Sequence, residues 1–216
     1  MQPGTGLLAR AGILSGMTGG SWDDAYLLNR APWDIGRPQP AIVRVVDDKD
    51  LPEPVLDSGC GSGEHALLAA TQGLLVTGID ISRLVIERAR AKARGRGLSA
   101  EFIVGDVLDL PGIERLDPPF RSVIDTGCFH TFSDAQRLDY AASLAAVVEP
   151  GGVLHLLCFS EHTPGTGGPR RVTEAEIREV FRDEWRVDRI IAETFAVSSQ
   201  WQGTPPSAWL ARIVRL

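Results

Sequence analysis

Cysteine is scarce in this chain, an excess of basic residues is absent, and no apolar run is long enough to cross a bilayer. The three cysteines, Cys60, Cys128 and Cys158, lie in or beside apolar runs without paired spacing. They offer neither a disulfide framework nor a zinc cluster, and they suit a reducing compartment, the cytoplasm. With 22 basic against 28 acidic residues the formal charge is -6, and the basic residues are dispersed or form only the brief cluster Arg88 to Arg96, read as a solvated helix face. That balance argues against nucleic acid as a partner. A membrane span needs roughly 20 apolar residues, whereas Leu7 to Met17 is broken by Arg10, Gly12 and Gly16, so neither a span nor a signal peptide is expected. Residues 1–20 read as a flexible leader, and translation from Met17 is expected to give an equally folded protein.

What is present suits one α/β domain over residues 21–216, with lid helices over 21–48, a core over 50–160, and a C-terminal loop, helix and strand pair over 161–216. Ser21 is placed to cap a short helix through Arg30, with Asp23 and Asp24 in its first turn. A proline-broken segment, Ala31 to Pro40, precedes a second helix over Ala41 to Asp48. Strands are predicted near Pro54-Asp57, Leu75-Ile79, Glu101-Val104, Ser122-Ile124 and Val153-Phe159, alternating with helices over Glu64 to Gln72, Arg83 to Arg94 and Ala135 to Val148. The alternation predicts a parallel sheet, and Pro150-Gly151-Gly152 stops the last of these helices. Ser82 and Ser133 stand at cap positions, and Thr173 with Glu176 forms a capping box. The Gly/Pro-rich loop Glu161 to Arg171 is expected to cross the mouth of the site, and two strand-like runs, Arg186 to Phe195 and Ala208 to Val214, end the chain.

The run Val55-Leu56-Asp57-Ser58-Gly59-Cys60-Gly61-Ser62-Gly63-Glu64-His65 reads as a buried strand, a glycine turn and a helix start, the pattern of a nucleotide-cofactor site. A dinucleotide fingerprint wants a glycine where Glu64 stands, and a P-loop wants Gly-Lys-Ser/Thr, which residues 59–65 lack. Four carboxylates, Asp57, Asp80, Asp106 and Asp125, fall at the C-terminal ends of consecutive predicted strands, where ligands of open α/β sheets bind. Any one of them alone is as well explained as a turn former or helix cap. Asp80 lies about 20 residues past the glycine turn, the distance at which a strand-end acid accepts from ribose hydroxyls. An acidic crevice suits a cofactor without phosphate, one carrying a sulfonium cation, an ammonium group and an adenosine.

These residues resemble the class I S-adenosylmethionine-dependent methyltransferases. Asp57-Ser58-Gly59-Cys60-Gly61-Ser62-Gly63 looks like the first motif of that family, Gly78-Ile79-Asp80-Ile81-Ser82 its ribose motif, and Gly105-Asp106-Val107 its adenine motif. The resemblance covers roughly residues 50–160. It implies a Rossmann-like, doubly wound sheet of seven mostly parallel strands with one antiparallel edge strand, helices on both faces, and an N-terminal helical lid. It also implies that Gly59 and Gly61 contact the methionine part of the cofactor, with Asp57 and Asp125 alongside. Asp80 with Ile81 would hold the ribose, and Asp106 with Val107 the adenine.

Pro32-Trp33-Asp34-Ile35-Gly36 and the stretch Ile124 to His130, followed by Arg137 and Tyr140, resemble the thiopurine and thiol methyltransferase-like branch that acts on small molecules. By that resemblance Trp33 closes over the cofactor, while on the bland alternative it is a surface aromatic under an N-terminal helix. His130, past a strand end beside Asp125, is either a hydrogen-bonded structural residue or a substrate contact; Asp125 and His130 are the candidate bases for a phenol or hydroxylamine acceptor. The expected reaction is in-line transfer of a methyl group from S-adenosylmethionine to sulfur, oxygen or nitrogen of a small aromatic or apolar acceptor, releasing S-adenosylhomocysteine, without metal. The alternatives are a non-catalytic relative that only holds the nucleoside, a protein methyltransferase, and an NAD-dependent reductase. Oligomeric state is open.

Overall fold

A computed structural model describes residues 19–28, 30–165 and 168–216. Residues 1–18 of the expected leader lie outside the described residues, and Gly19 and Gly20 already belong to the first helix. Six helices are present among the described residues: α1 (Gly19–Leu27), α2 (Pro40–Asp47), α3 (Glu64–Thr71), α4 (Arg83–Arg96), α5 (Asp134–Ala145) and α6 (Glu174–Val180). The strands are β1 (Val55–Ser58), β2 (Val76–Asp80), β3 (Glu101–Val104), β4 (Phe120–Thr126), β5 (Val148–Phe159), β6 (Trp185–Thr194) and β7 (Ser207–Arg215). They form one seven-stranded sheet in the order β3-β2-β1-β4-β5-β7-β6. The first five are parallel to their neighbours, and β7 runs antiparallel between β5 and the outermost strand, β6.

The seven-stranded, mostly parallel sheet expected from the sequence is present, and its logic is burial on both faces. All four residues of β1 are buried, as a central parallel strand requires. One core cluster packs Leu56, Ile79 and Val123 against Tyr140 and Leu144 of α5 and Ile177 of α6. The other packs Val55, Val76 and Ile124 against α2, α3 and α4. The exposed positions of β6 include the charged Arg186, Asp188 and Arg189, which blunt the open edge.

Local signals set most boundaries. The Ser82 and Ser133 hydroxyls cap α4 and α5, Thr173 and Glu176 complete a capping box on α6, and Gly97 at φ 64° ends α4. Two expectations fail locally. Ser21 lies inside α1 rather than at its start, and Asp23 leaves its own helix to accept from the Leu84 amide and the Ser82 hydroxyl at the start of α4. Helix α5 ends at Ala145, before the Pro150 turn, and β5 begins at Val148 with a register shift opposite Phe120 and Ser122. The described residues of the loop 161–171 do not line the cleft. Its Thr163 hydroxyl donates to the Ser207 carbonyl at 2.5 Å, and Arg171 grips the carbonyls of Pro164, Gly165 and Pro169.

Candidate active site

Between β1 and β4 the strand order reverses, with β2 and β3 on one side and β5 on the other, and a cleft opens at the carboxyl ends of the strands there. The glycine turn forms its floor. Gly59 has φ +69°, and a Cβ there would come within 2.7 Å of the Cys128 Cβ, so turn and β4 meet too closely for any side chain. Gly63, at φ +85°, leads into α3, where a Cβ would collide with Ala89 and Phe102.

Glu64 takes the first position of α3, is buried, and accepts from Lys92 Nζ at 2.7 Å and Arg96 Nη1 at 3.0 Å. Burial opposes its charge, but the hydrogen bonds from Arg96 and Lys92 hold its carboxyl below the usual range. At the start of α3 the Ala66 amide, of the kind that attracts phosphate elsewhere, is already taken by the Asp57 carboxylate at 2.9 Å. Among the described residues, the cleft is lined by four acids, Asp34, Glu64, Asp80 and Asp106, and one guanidinium, Arg37.

The four strand-end acids divide into two pairs. Asp80 and Asp106 line the cleft. Asp80 accepts from the Gly61 amide at 2.9 Å and the Ser82 amide at 2.8 Å, and burial raises its pKa to about 6 against those two hydrogen bonds. Asp106 accepts from the Leu108 amide at 3.0 Å. Asp57 and Asp125 are fully buried and are not part of the cleft wall. Asp57 accepts from the Ala66 amide at 2.9 Å and its other oxygen has no protein partner; burial pushes its pKa up to about 7. Asp125 accepts from the Cys128 amide at 2.9 Å, the Phe129 amide at 3.1 Å and the Tyr140 hydroxyl at 2.9 Å, which consumes its carboxylate in fastening the turn after β4. Burial raises it to about 6, opposed by those bonds.

The two residues expected to act as bases are thus not brought to the cleft. His130 sits on a short 3-10 turn that points it toward β5, where Nδ1 accepts from the Phe159 amide at 3.0 Å and the ring packs on Phe159 at 4.6 Å. Burial, with Arg137 and Arg171 nearby, lowers its pKa to about 3, so the ring is a neutral structural group. Of the other expected positions, Trp33, Gly59, Gly61, Ile81 and Val107 line the cleft with Asp80 and Asp106. Trp201 and Trp209 do not line it: Trp209 is buried in the sheet core and Trp201 packs edge-on against Phe159.

The lid closes the other side. Trp33 Nε1 donates to the Tyr26 hydroxyl at 3.0 Å, and its ring meets Trp22 and Tyr26 edge-on at 5.8 and 6.0 Å. Asp34 accepts from the Ser62 hydroxyl at 3.0 Å, which ties lid to glycine turn. Buried Gln39 exchanges two 2.8 Å hydrogen bonds with the backbone of Ala196, and the Ser198 amide donates to the Pro32 carbonyl at 2.9 Å. Sequence reasoning missed Gln39, His65 and Thr126, which meet here: the Gln39 amide donates to His65 Nε2 at 3.1 Å, and Thr126 Oγ1 lies 3.1 Å from His65 Nδ1. The position of His65, directly after the glycine turn on the helix end that faces the cleft, was the available signal.

Comparison with known proteins agrees with this architecture. Residues 55–152 match a family described as a methyltransferase domain. The 2-heptyl-1-hydroxyquinolin-4(1H)-one methyltransferase of Mycobacteroides abscessus is 34% identical over 166 residues, covering 76% of this chain and 72% of that protein. A probable thiol methyltransferase 2 of Arabidopsis thaliana is 28% identical, covering 78% of this chain and 74% of the relative. Among solved structures, one concerned with conversion of a disulfide bond into a thioacetal group during echinomycin biosynthesis superposes with a TM-score of 0.80 at 33% identity, covering 92% of this chain and 93% of that one.

Proposed function

This chain belongs to the S-adenosylmethionine-dependent methyltransferases, and from that premise we propose that it methylates a small aromatic acceptor whose reacting oxygen, sulfur or nitrogen arrives without needing a protein base. The observation that carries the proposal is the composition of the cleft: carboxylates where phosphate ligands need positive charge, and no free imidazole on the wall. The residues outside the described set, 1–18, 29 and 166–167, contain no aspartate, glutamate, histidine, lysine, tyrosine or cysteine to supply one.

S-adenosylmethionine supplies an electrophilic methyl group on a sulfonium. The cleft fits it: the Asp57 carboxylate already holds the Ala66 amide at the head of α3, where a pyrophosphate would bind, and the space above Gly61, where a Cβ would come 3.0 Å from the Tyr26 hydroxyl, is closed to side chains. Asp80 and Ile81 would hold the ribose, Asp106 and Val107 the adenine, and the turn at Gly59 and Gly61 the methionine part. The aromatic lid of Trp22, Tyr26 and Trp33 would exclude water. Holding nucleophile and methyl carbon in line at about 3 to 3.5 Å supplies roughly 7–11 kcal/mol, more than the 10²- to 10⁴-fold typical of a general base. A hydroxy-heteroarene or aryl thiol that is ionised near neutral pH therefore loses little by the burial of Asp125 and His130.

The named relatives act on a hydroxyquinolone and on thiols, which agrees with this acceptor class. The acidic balance of the chain supports an acceptor other than nucleic acid, and its unpaired cysteines support a reducing, cytoplasmic setting. No described helix is long and apolar enough to cross a membrane. The test is release of S-adenosylhomocysteine from methyl-labelled S-adenosylmethionine with a panel of hydroxyquinolones, aryl thiols and phenols, beside a peptide library. Label in the acidic small molecules is the expected result; label confined to peptides would overturn the proposal.

A further inference from the structure

We propose that Thr126 is a hydrogen-bond donor to the methyl acceptor and that His65 is the positioning residue that aims it; this rests on the reading of the cleft as a small-molecule methyltransferase site. The argument is one of proton direction. A backbone N–H only donates, so the Gln39 amide, 3.1 Å from His65 Nε2, makes that nitrogen the lone-pair side of the ring. A neutral imidazole then carries its proton on Nδ1. That proton points at Thr126 Oγ1, 3.1 Å away, which must receive it. The Thr126 hydroxyl keeps a proton of its own, and no atom of the described residues accepts it. Its half-buried side chain stands in the cleft wall at the end of β4.

The polarity is held from a distance. Gln39 cannot turn its amide away easily, because its side chain is buried and bonded through both polar atoms to Ala196. Lid seating therefore decides which way the His65 and Thr126 protons point. The strand order places this donor away from Asp80 and Asp106, since β2 and β3 lie on one side of β1 and β4 on the other. On its own side it stands with His65 and Gln39 in the cleft wall.

A donor fixed in this sense cannot take a proton from a nucleophile. It serves a lone pair on the acceptor other than that of the reacting atom, such as a ring carbonyl. The chemical class selected is a hydroxy-heteroarene carrying a second oxygen or nitrogen acceptor, over a plain aryl thiol.

The experiment compares 2-heptyl-1-hydroxyquinolin-4(1H)-one, the compound in the name of the relative, with thiophenol, which lacks a second acceptor atom. Thr126→Val is expected to raise KM for the hydroxyquinolone about 10-fold while thiophenol turnover and S-adenosylhomocysteine affinity stay within about twofold. Thr126→Ser restores the hydroxyquinolone KM, and His65→Ala raises it with no further loss when combined with Thr126→Val. Equal losses with both acceptors, or weakened S-adenosylhomocysteine binding, would overturn the proposal. Nitrogen NMR of the wild-type protein tests the relay without any acceptor: His65 is expected as the neutral Nδ1–H tautomer, and an Nε2–H tautomer contradicts it. Should the wild type use neither compound, the functional reading fails, while the tautomer still decides the relay.

Discussion

The cleft has two halves built in different ways. The half at the ends of β1, β2 and β3 is made of short consecutive segments, each a strand followed by a turn that lines the cleft. The half around β4 and the lid is made of side chains far apart in the chain, held by hydrogen bonds between residues 26, 61 and 157 positions apart. A site written on consecutive strand ends keeps its chemistry when loops vary. A site assembled from a lid, a helix start and a strand end can change its acceptor by changing any one of them.

The largest effect that would separate the halves is expected at Gly59. Gly59→Ala places a Cβ 2.7 Å from that of Cys128 at a φ of +69°, so the turn must move, and calorimetry should show S-adenosylhomocysteine affinity falling about 100-fold or more. Retained affinity would mean that the turn does not form the cofactor floor. Next comes Asp80→Ala, which removes the cleft acid at the end of β2 and should weaken S-adenosylhomocysteine by roughly 1–3 kcal/mol. An unchanged dissociation constant would take Asp80 out of the site. Gln39→Ala tests the other half: it should raise acceptor KM about fivefold, with cofactor affinity nearly unchanged, by releasing the Ala196 backbone and loosening His65. If cofactor and acceptor weaken together, the halves are not separable.

The smallest effect is a pH signature in cofactor affinity. The folded pKa values of Asp57, Asp80 and Asp125, about 7, 6 and 6, lie above the ordinary carboxylate value of 3.8. Each of these acids takes up a proton on folding within the window from about pH 4 to 7, but buried His65, His130 and His155, lowered from 6.5 to about 4, 3 and 4, each give one up over much of the same window, so the two sets nearly cancel and the stability of the ligand-free fold changes little. Cofactor binding to an ionised Asp80 has no such offset and should weaken about fourfold as pH falls to about 5.5. From pH 8 to about 5.5, calorimetric affinity should fall while the thermal midpoint of the free protein moves little.

The same contrast explains how much the sequence revealed. Strand alternation carried the sheet, and the glycine turn and the position of Asp80 marked residues that line the cleft, because each signal is local. Asp125 and His130 misled for a physical reason: a strand-end position says where a side chain starts, but not that the turn amides of Cys128 and Phe129, or the Phe159 amide, will occupy it. His65 was visible as a helix residue, yet its partners Gln39 and Thr126 become neighbours only when the lid folds back. Glu64, first noticed as a missing glycine, proved to be a carboxylate fastened to Lys92 and Arg96.

The central claim is that the acceptor brings its own ionisation and the protein supplies position. The most direct test is the pH dependence of acceptor kcat/KM at saturating S-adenosylmethionine, measured for hydroxyquinolones and aryl thiols of graded acidity. The account predicts that the inflection moves with the pKa of each acceptor. An inflection fixed at one pH for every acceptor would reveal a protein base and contradict it.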